Sequence, residues 1–232
     1  PLVELPEKTY SFEEAKEMVI NAMSVLGEDY VRRLKEAFTN RWIDVYPNKG
    51  KQGGAYSGGS YDTPPFVLLN YMRTIDDVST LAHELGHAMH SYYTRENNPY
   101  VTGDYSIFVA EVASTVNELF LAKYLLKTTE DKNLKKSILV HLMDMFKSTI
   151  YRQVMFAEFE EQVHSAVEKG EVLTSESISD IYYNLVKQYH EPVVVVDEQI
   201  RYEWERISHF YTPFYVYKYA TGLASACQIV TN

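Results

Sequence analysis

Thr74-Ile75-Asp76-Asp77-Val78-Ser79-Thr80-Leu81-Ala82-His83-Glu84-Leu85-Gly86-His87-Ala88-Met89-His90-Ser91-Tyr92 starts like a helix and carries a metal-site pattern within it. Thr74 with Asp77 three positions later has the form of a capping box. Val78, Leu81, Leu85, Met89 and Tyr92 then recur at helical spacing and gather on one side, while His83, His87 and His90 fall on the other. Two imidazoles four positions apart lie about 40° apart on one helix face, so both can reach one ion with Glu84 flanking it. Histidines that merely hydrogen-bond inside a core should share the apolar side, and these do not. A solvated polar face would also tolerate them, so the rest of the chain must decide.

A hydrolytic zinc usually takes three protein ligands and keeps one position for water. The metzincin pattern, which needs Gly three and His six positions after the second motif histidine, is excluded because His90 and Tyr93 stand there. The acids shortly downstream are Glu96, Asp104, Glu111 and Glu118. Glu96 sits in a turn-rich Arg95-Glu96-Asn97-Asn98-Pro99 and reads as a solvated charge; Asp104 reads as a helix starter. Glu111 lies in the apolar run Ile107 to Thr115, where an inward carboxylate needs a cation or a donor. It is the preferred third ligand. Glu118, two turns on, fits either a ligand or an acceptor behind a ligating imidazole. The competing reading makes both acids an exposed polar stripe.

Outward from this stretch, residues 1–40 form a helical lead-in, with a helix from Phe12 to Phe38 started by Ser11 and Glu14 and interrupted near Gly27. Residues 41–73 read as a small antiparallel sheet. Five glycines fall between Gly50 and Gly59, but no Gly-Lys-Ser/Thr follows, which excludes a phosphate loop. Gly58 and Gly59 fit an edge strand that hydrogen-bonds an extended substrate, or an ordinary glycine hairpin. Residues 74–127 hold the metal-binding helices. Residues 128–232 are a helical remainder: a long helix from Asn133 to Lys169, another from Glu176 to His190, and a last one opened by Thr212 and Pro213. On that last helix Tyr215 and Tyr219 share a face, and Tyr217 packs as core.

The formal charge of −10 argues against a general nucleic-acid binder. No apolar run reaches membrane-spanning length. Cys227 is the single cysteine, so no disulfide forms within this sequence, and a cytoplasmic location is expected.

His83 to Ser91, followed by Phe-Val-Ala-Glu-Val-Ala-Ser-Thr-Val-Asn-Glu (108 to 118), resembles the oligoendopeptidase F group of the thimet-type (M3) zinc oligopeptidases. Ala-Tyr-Ser-Gly-Gly (55 to 59), Leu-Leu-Asn-Tyr (68 to 71) and His-Phe-Tyr-Thr-Pro-Phe-Tyr-Val-Tyr-Lys-Tyr-Ala-Thr-Gly (209 to 222) extend the likeness in the same order. The resemblance implies a mainly α, zincin-like catalytic domain with its small sheet beside the motif helix, and one Zn²⁺ held by His83, His87 and Glu111. It implies Glu84 as the catalytic glutamate, His209, Tyr215 and Tyr219 as donors reaching into a cleft, with Tyr211 a further candidate, and short unstructured peptides as substrates. It also implies a longer polypeptide: Ala224 to Val230 reaches Asn232 without a Gly or Pro stop, so a catalytic portion incomplete at both ends is expected, the rest of the protein completing the cleft. The alternatives are a related zinc carboxypeptidase and a non-catalytic helical module that binds peptides.

Overall fold

Ser11 and Thr74 begin helices for the same reason: each hydroxyl accepts the N3 amide while the N3 carboxylate returns to the cap amide. In the computed structural model, which describes residues 8–231, Ser11 starts α1 (Phe12–Ala22), a 3₁₀ turn follows, and α2 runs Glu28–Thr39. Gly27, at φ 95°, separates the two where the interruption was expected. The first seven residues of the expected lead-in, and Asn232, lie outside the described residues.

Three short strands follow: β1 (Ile43–Asp44), β2 (Tyr56–Gly58) and β3 (Phe66–Leu68). β2 and β3 are antiparallel, with Ser57 opposite Val67. β1 joins the other side of β3 in parallel, with Ile43 opposite Val67, so the sheet is mixed where an antiparallel one was expected. The most apolar strand takes the centre. There Val67 is buried and both of its ladders are filled, which leaves β2 as an edge.

Thr74 then opens α3 (Ile75–Asn97). Val78, Leu81, Leu85 and Met89 are all buried, in a core shared with Val19, Met23 and Leu34 of the first helices and Val67 of the sheet. Each such side chain contributes roughly 1.5–3 kcal/mol of burial, which holds the opposite, histidine-bearing face in a fixed direction. α3 extends through the stretch read as a turn, and Glu96 on its last turn pairs with Arg33 at 2.9 Å. α4 (Ile107–Thr128) starts at the Ser106 cap rather than at Asp104, whose carboxylate instead accepts the neighbouring Tyr105 amide.

After α4, the single helix expected from Asn133 to Lys169 is α5 (Lys132–Phe146), a π turn over Lys147–Tyr151, and α6 (Arg152–Glu168). α7 spans Ser175–His190 behind its Thr174 cap, and 3₁₀ turns lead to α8 (Tyr217–Thr231). α8 begins four residues later than expected. Phe214 adopts a left-handed φ of 57° and its amide donates to the buried Glu160 carboxylate at 2.9 Å, so the chain cannot enter a helix at Pro213.

The chain divides into two compact units, one holding residues up to Met143 together with Gly222 onward, the other Asp144–Thr221. The second has its own core of Met155, Phe156, Phe159, Tyr182, Leu185 and Val216. Beside it Tyr182 and Arg152 both donate to Glu203, at 2.6 and 2.9 Å.

Candidate metal centre

Gly86, inside the motif, decides how close α4 can come. A Cβ there would stand 2.6 Å from the Ser114 Cα and 2.7 Å from the Ala113 carbonyl oxygen, so the two helix backbones touch at this point. The contact sets Glu111, one turn before Ser114, over the histidine face of α3. Gly222 of α8 closes the other side, where a Cβ would lie 3.0 Å from that of Glu111.

His83 Nε2 and His87 Nε2 are each 3.5 Å from the same oxygen, Oε2 of Glu111. The three ligand atoms lie within 4.8 Å of one another, and among the described residues this is the one group of three or more metal-ligating side chains placed in this way. Two ligands about 2.1 Å from an ion at a tetrahedral angle would be roughly 3.4 Å apart, and the two 3.5 Å separations to Glu111 fit coordination of a small ion. Glu84 is 6% exposed, and its Oε2 has no hydrogen-bond partner. A buried carboxylate oxygen left open beside such a set fits a water or an ion.

The acids of α4 are not an exposed stripe. Glu111, Ser114 and Thr115 are buried, and Ser114 Oγ donates to Glu111 Oε2 at 3.0 Å. Glu118 takes the role behind the imidazole: its Oε1 meets His83 Nδ1 at 2.5 Å, and Ser79 Oγ donates to its Oε2 at 3.2 Å. An acceptor at Nδ1 places the His83 lone pair on Nε2, facing Glu111. Asn117 joins the helices further, donating to the Ala82 carbonyl and accepting from Tyr30. Ser114, Asn117, Gly86 and Gly222 were missed by the sequence reading. Positions 111, 114, 115 and 118 repeat at one helix face, and that spacing of polar groups in an apolar run was the available signal.

Burial works against charge on His83, but Glu118 and Glu111 more than offset it and its pKa is pushed up to about 9. Burial raises the Glu84 carboxyl above the ordinary range, with His83 and His87 opposing. For Glu111 burial acts upward too, yet the contacts from His87, His83 and Ser114 leave it lowered and anionic.

His90 continues the histidine face but stacks on Tyr105, centroids 3.7 Å apart. Gly58 ends the edge strand, and Arg95 holds the Gly59 and Ser60 carbonyls at 2.9 and 3.0 Å. In the second unit His209, Tyr215 and Tyr219 form one cluster. The His209 ring stacks on Tyr215 at 5.2 Å, its Nε2 lies 3.4 Å from the Tyr219 hydroxyl, and the two phenol rings are 5.7 Å apart. Tyr215 precedes α8 instead of lying on it, and the Lys218 ammonium sits 3.0 Å from its ring centroid. Tyr217, expected in the core, is exposed; Val216 and Lys218 are buried in its place. The exposed Tyr211 is turned to the Glu205 carbonyl.

The chain is 49% identical over 226 residues to Oligopeptidase PepF of Bacillus subtilis (strain 168), covering 97% of this chain and 34% of that one. It is 50% identical over 220 residues to Group B oligopeptidase PepB of Streptococcus agalactiae, covering 95% and 37%. The chain thus spans about a third of the length of the curated relatives it matches. Among solved structures, a putative peptidase from Chlamydophila abortus superposes with a TM-score of 0.82 at 43% identity, over 100% of this chain and 40% of that one. Oligoendopeptidase-F from Enterococcus faecium gives 0.68 at 33% identity, over 100% and 33%. The profile of Peptidase family M3 matches residues 4–231, and with nearly the whole sequence inside that match the chain belongs to Peptidase family M3.

Proposed function

We propose that this chain is the catalytic portion of a zinc-dependent oligoendopeptidase that cuts short, unstructured peptides. The observation that carries the reading is the shared Glu111 oxygen 3.5 Å from both motif imidazoles, with Glu84 buried beside them. The printed names of the relatives, oligopeptidases and oligoendopeptidases, support the substrate class.

His83 Nε2, His87 Nε2 and a Glu111 oxygen would hold one Zn²⁺. Bound there, zinc supplies a Lewis acid that acidifies water and polarises a peptide carbonyl. Glu84 accepts the proton of the attacking water on its unpartnered Oε2 and returns it to the leaving amine. Tyr219, Tyr215 and His209 donate to the carbonyl oxygen as its charge grows, and Tyr211 is a further substrate contact. The edge of β2 that ends at Gly58, with Gly59 following it, pairs with the substrate backbone, which gives binding with little side-chain preference.

Glu84→Gln in the full-length protein should keep zinc and lose cleavage of an internally quenched peptide by about 10³-fold or more, at the upper range for general acid–base groups. Cleavage near the wild-type rate by the zinc-loaded variant removes Glu84 from this role. Product masses test the rest: internal cuts support an endopeptidase, whereas single-residue trimming from the C-terminus supports a carboxypeptidase.

A further inference from the structure

The support behind His83 continues past Glu118. Ser79 Oγ, which donates to Glu118 Oε2 at 3.2 Å, also lies 3.4 Å from Nε2 of His141 on α5, and His141 Nδ1 lies 3.4 Å from Asp76 Oδ1 at the start of α3. These residues line a small cleft between α3, α4 and α5 whose other walls are mostly apolar, among them Ile75, Leu121 and Ile138. Neither Ser79 nor His141 has a part in the chemistry above.

Donor counting fixes the polarity of this chain. A carboxylate only accepts, so the contact of the largely buried Glu118 with Ser79 takes the single hydroxyl proton of Ser79. With that proton committed, Ser79 turns a lone pair to His141, and Nε2 is the donor of that contact. An imidazole with a bare Nε2 would draw the Ser79 proton to itself and leave a Glu118 oxygen facing a lone pair, on a side chain only 13% exposed. On the other side of the ring, the contact with His141 holds the Asp76 carboxyl below the usual carboxylate range, more than offsetting its partial burial.

We propose that His141 is a positioning residue for the metal centre. By donating to Ser79 it keeps the Ser79 hydroxyl on Glu118, and Glu118 fixes the tautomer and ring direction of His83, so that Nε2 points at Glu111 and His87. The inference rests on the metal reading proposed above. It extends the machinery to α5, more than 50 residues beyond the motif.

The test is zinc affinity of the full-length protein, measured by competition with a chromophoric chelator. His141→Leu and Ser79→Ala should weaken zinc binding about 5- to 10-fold, at or just below the low end of effects for groups behind a ligand. His141→Gln, whose carboxamide can donate to Ser79, should recover most of the loss, with the melting midpoints of the metal-free proteins close to wild type. Wild-type affinity in His141→Leu, or a loss in His141→Gln as large as in His141→Leu, overturns the proposal. Should the leucine variant fail to fold, wild-type affinity in Ser79→Ala overturns it equally. Zinc binding that survives His83→Ala overturns the metal reading itself, and is a different failure from His83-dependent binding that ignores His141.

Discussion

The two polar clusters of this molecule are built on opposite plans. In the first unit the donor set of His83, His87 and Glu111 sits on two long helices in backbone contact, and its outer atoms are occupied: Glu118 on His83, Ser114 on Glu111. In the second, His209, Tyr215 and Tyr219 stand on a 3₁₀ turn, just after the left-handed Phe214 and on the first turn of α8, joined by ring contacts and a long 3.4 Å hydrogen bond. Ligands for a small ion tolerate little displacement, and rigid helices supply that precision. On the proposed function, the first cluster is the part that holds the metal and the second is the part that serves the substrate.

That contrast breaks first at Tyr219. Tyr219→Phe should lower kcat on a quenched peptide by about 10²-fold, the loss expected for one donor to a developing oxyanion, while zinc affinity stays at the wild-type value. A variant that loses zinc together with kcat would show that the aromatic cluster belongs to the holding part, and the division would fall. Gly86→Ala probes the other side. Its Cβ would meet backbone of α4, so stability to denaturant should fall by about 1–3 kcal/mol and zinc affinity should fall with it as Glu111 is pushed away. Unchanged affinity in this variant would mean that the helix contact does not set the acid.

The smallest expected effect sharpens the second unit. Tyr182 and Arg152 donate to Glu203 and, against its burial, hold its carboxyl below the usual range. A carboxyl whose folded pKa is depressed contributes stability that is full above its unfolded value near 4.5 and is lost as pH falls through the lower folded value. Glu203→Gln should thus cost about 1.5 kcal/mol at neutral pH, near the low end for charge-assisted hydrogen bonds because Arg152 is partly exposed. The gap from wild type should shrink in acid. A gap that is constant from pH 7 down to pH 3 in denaturation measurements contradicts the assignment.

What was legible in the sequence follows the range of the interactions concerned. The capping boxes of Ser11 and Thr74 act over three residues and the apolar stripe of α3 over one helix, so both helices and the direction of His83 and His87 could be read directly. Glu111 was readable because a carboxylate in an apolar run must find a partner. Glu118 was open between two roles in the sequence, and in the structure its carboxylate lies against His83 Nδ1. The late start of α8 was not readable, since it depends on Glu160, 54 residues away, capturing the Phe214 amide. The parallel pairing of β1 likewise depends on which strand takes the centre of the sheet, and the local pattern of Ile43-Asp44 carries no trace of that. Helix α5 gave His141 a polar position among apolar ones, but nothing nearby in sequence links it to Ser79.

The seat of Gly222 against Glu111 has a consequence for the order in which the protein is made. Glu111 is met by Gly222, 111 residues after it (222 − 111), and its helix is met at Ala113 and Ser114 by Gly86, 25 residues before it (111 − 86). During synthesis at roughly 5–20 residues per second, the later neighbour emerges roughly 5–20 s behind the acid. Through that interval the nascent chain carries both histidines and the glutamate without the glycine that packs against Glu111, so this side of the acid closes only once residue 222 has been made. A ribosome-bound chain halted before residue 222 should therefore hold Glu111 less firmly than the finished protein.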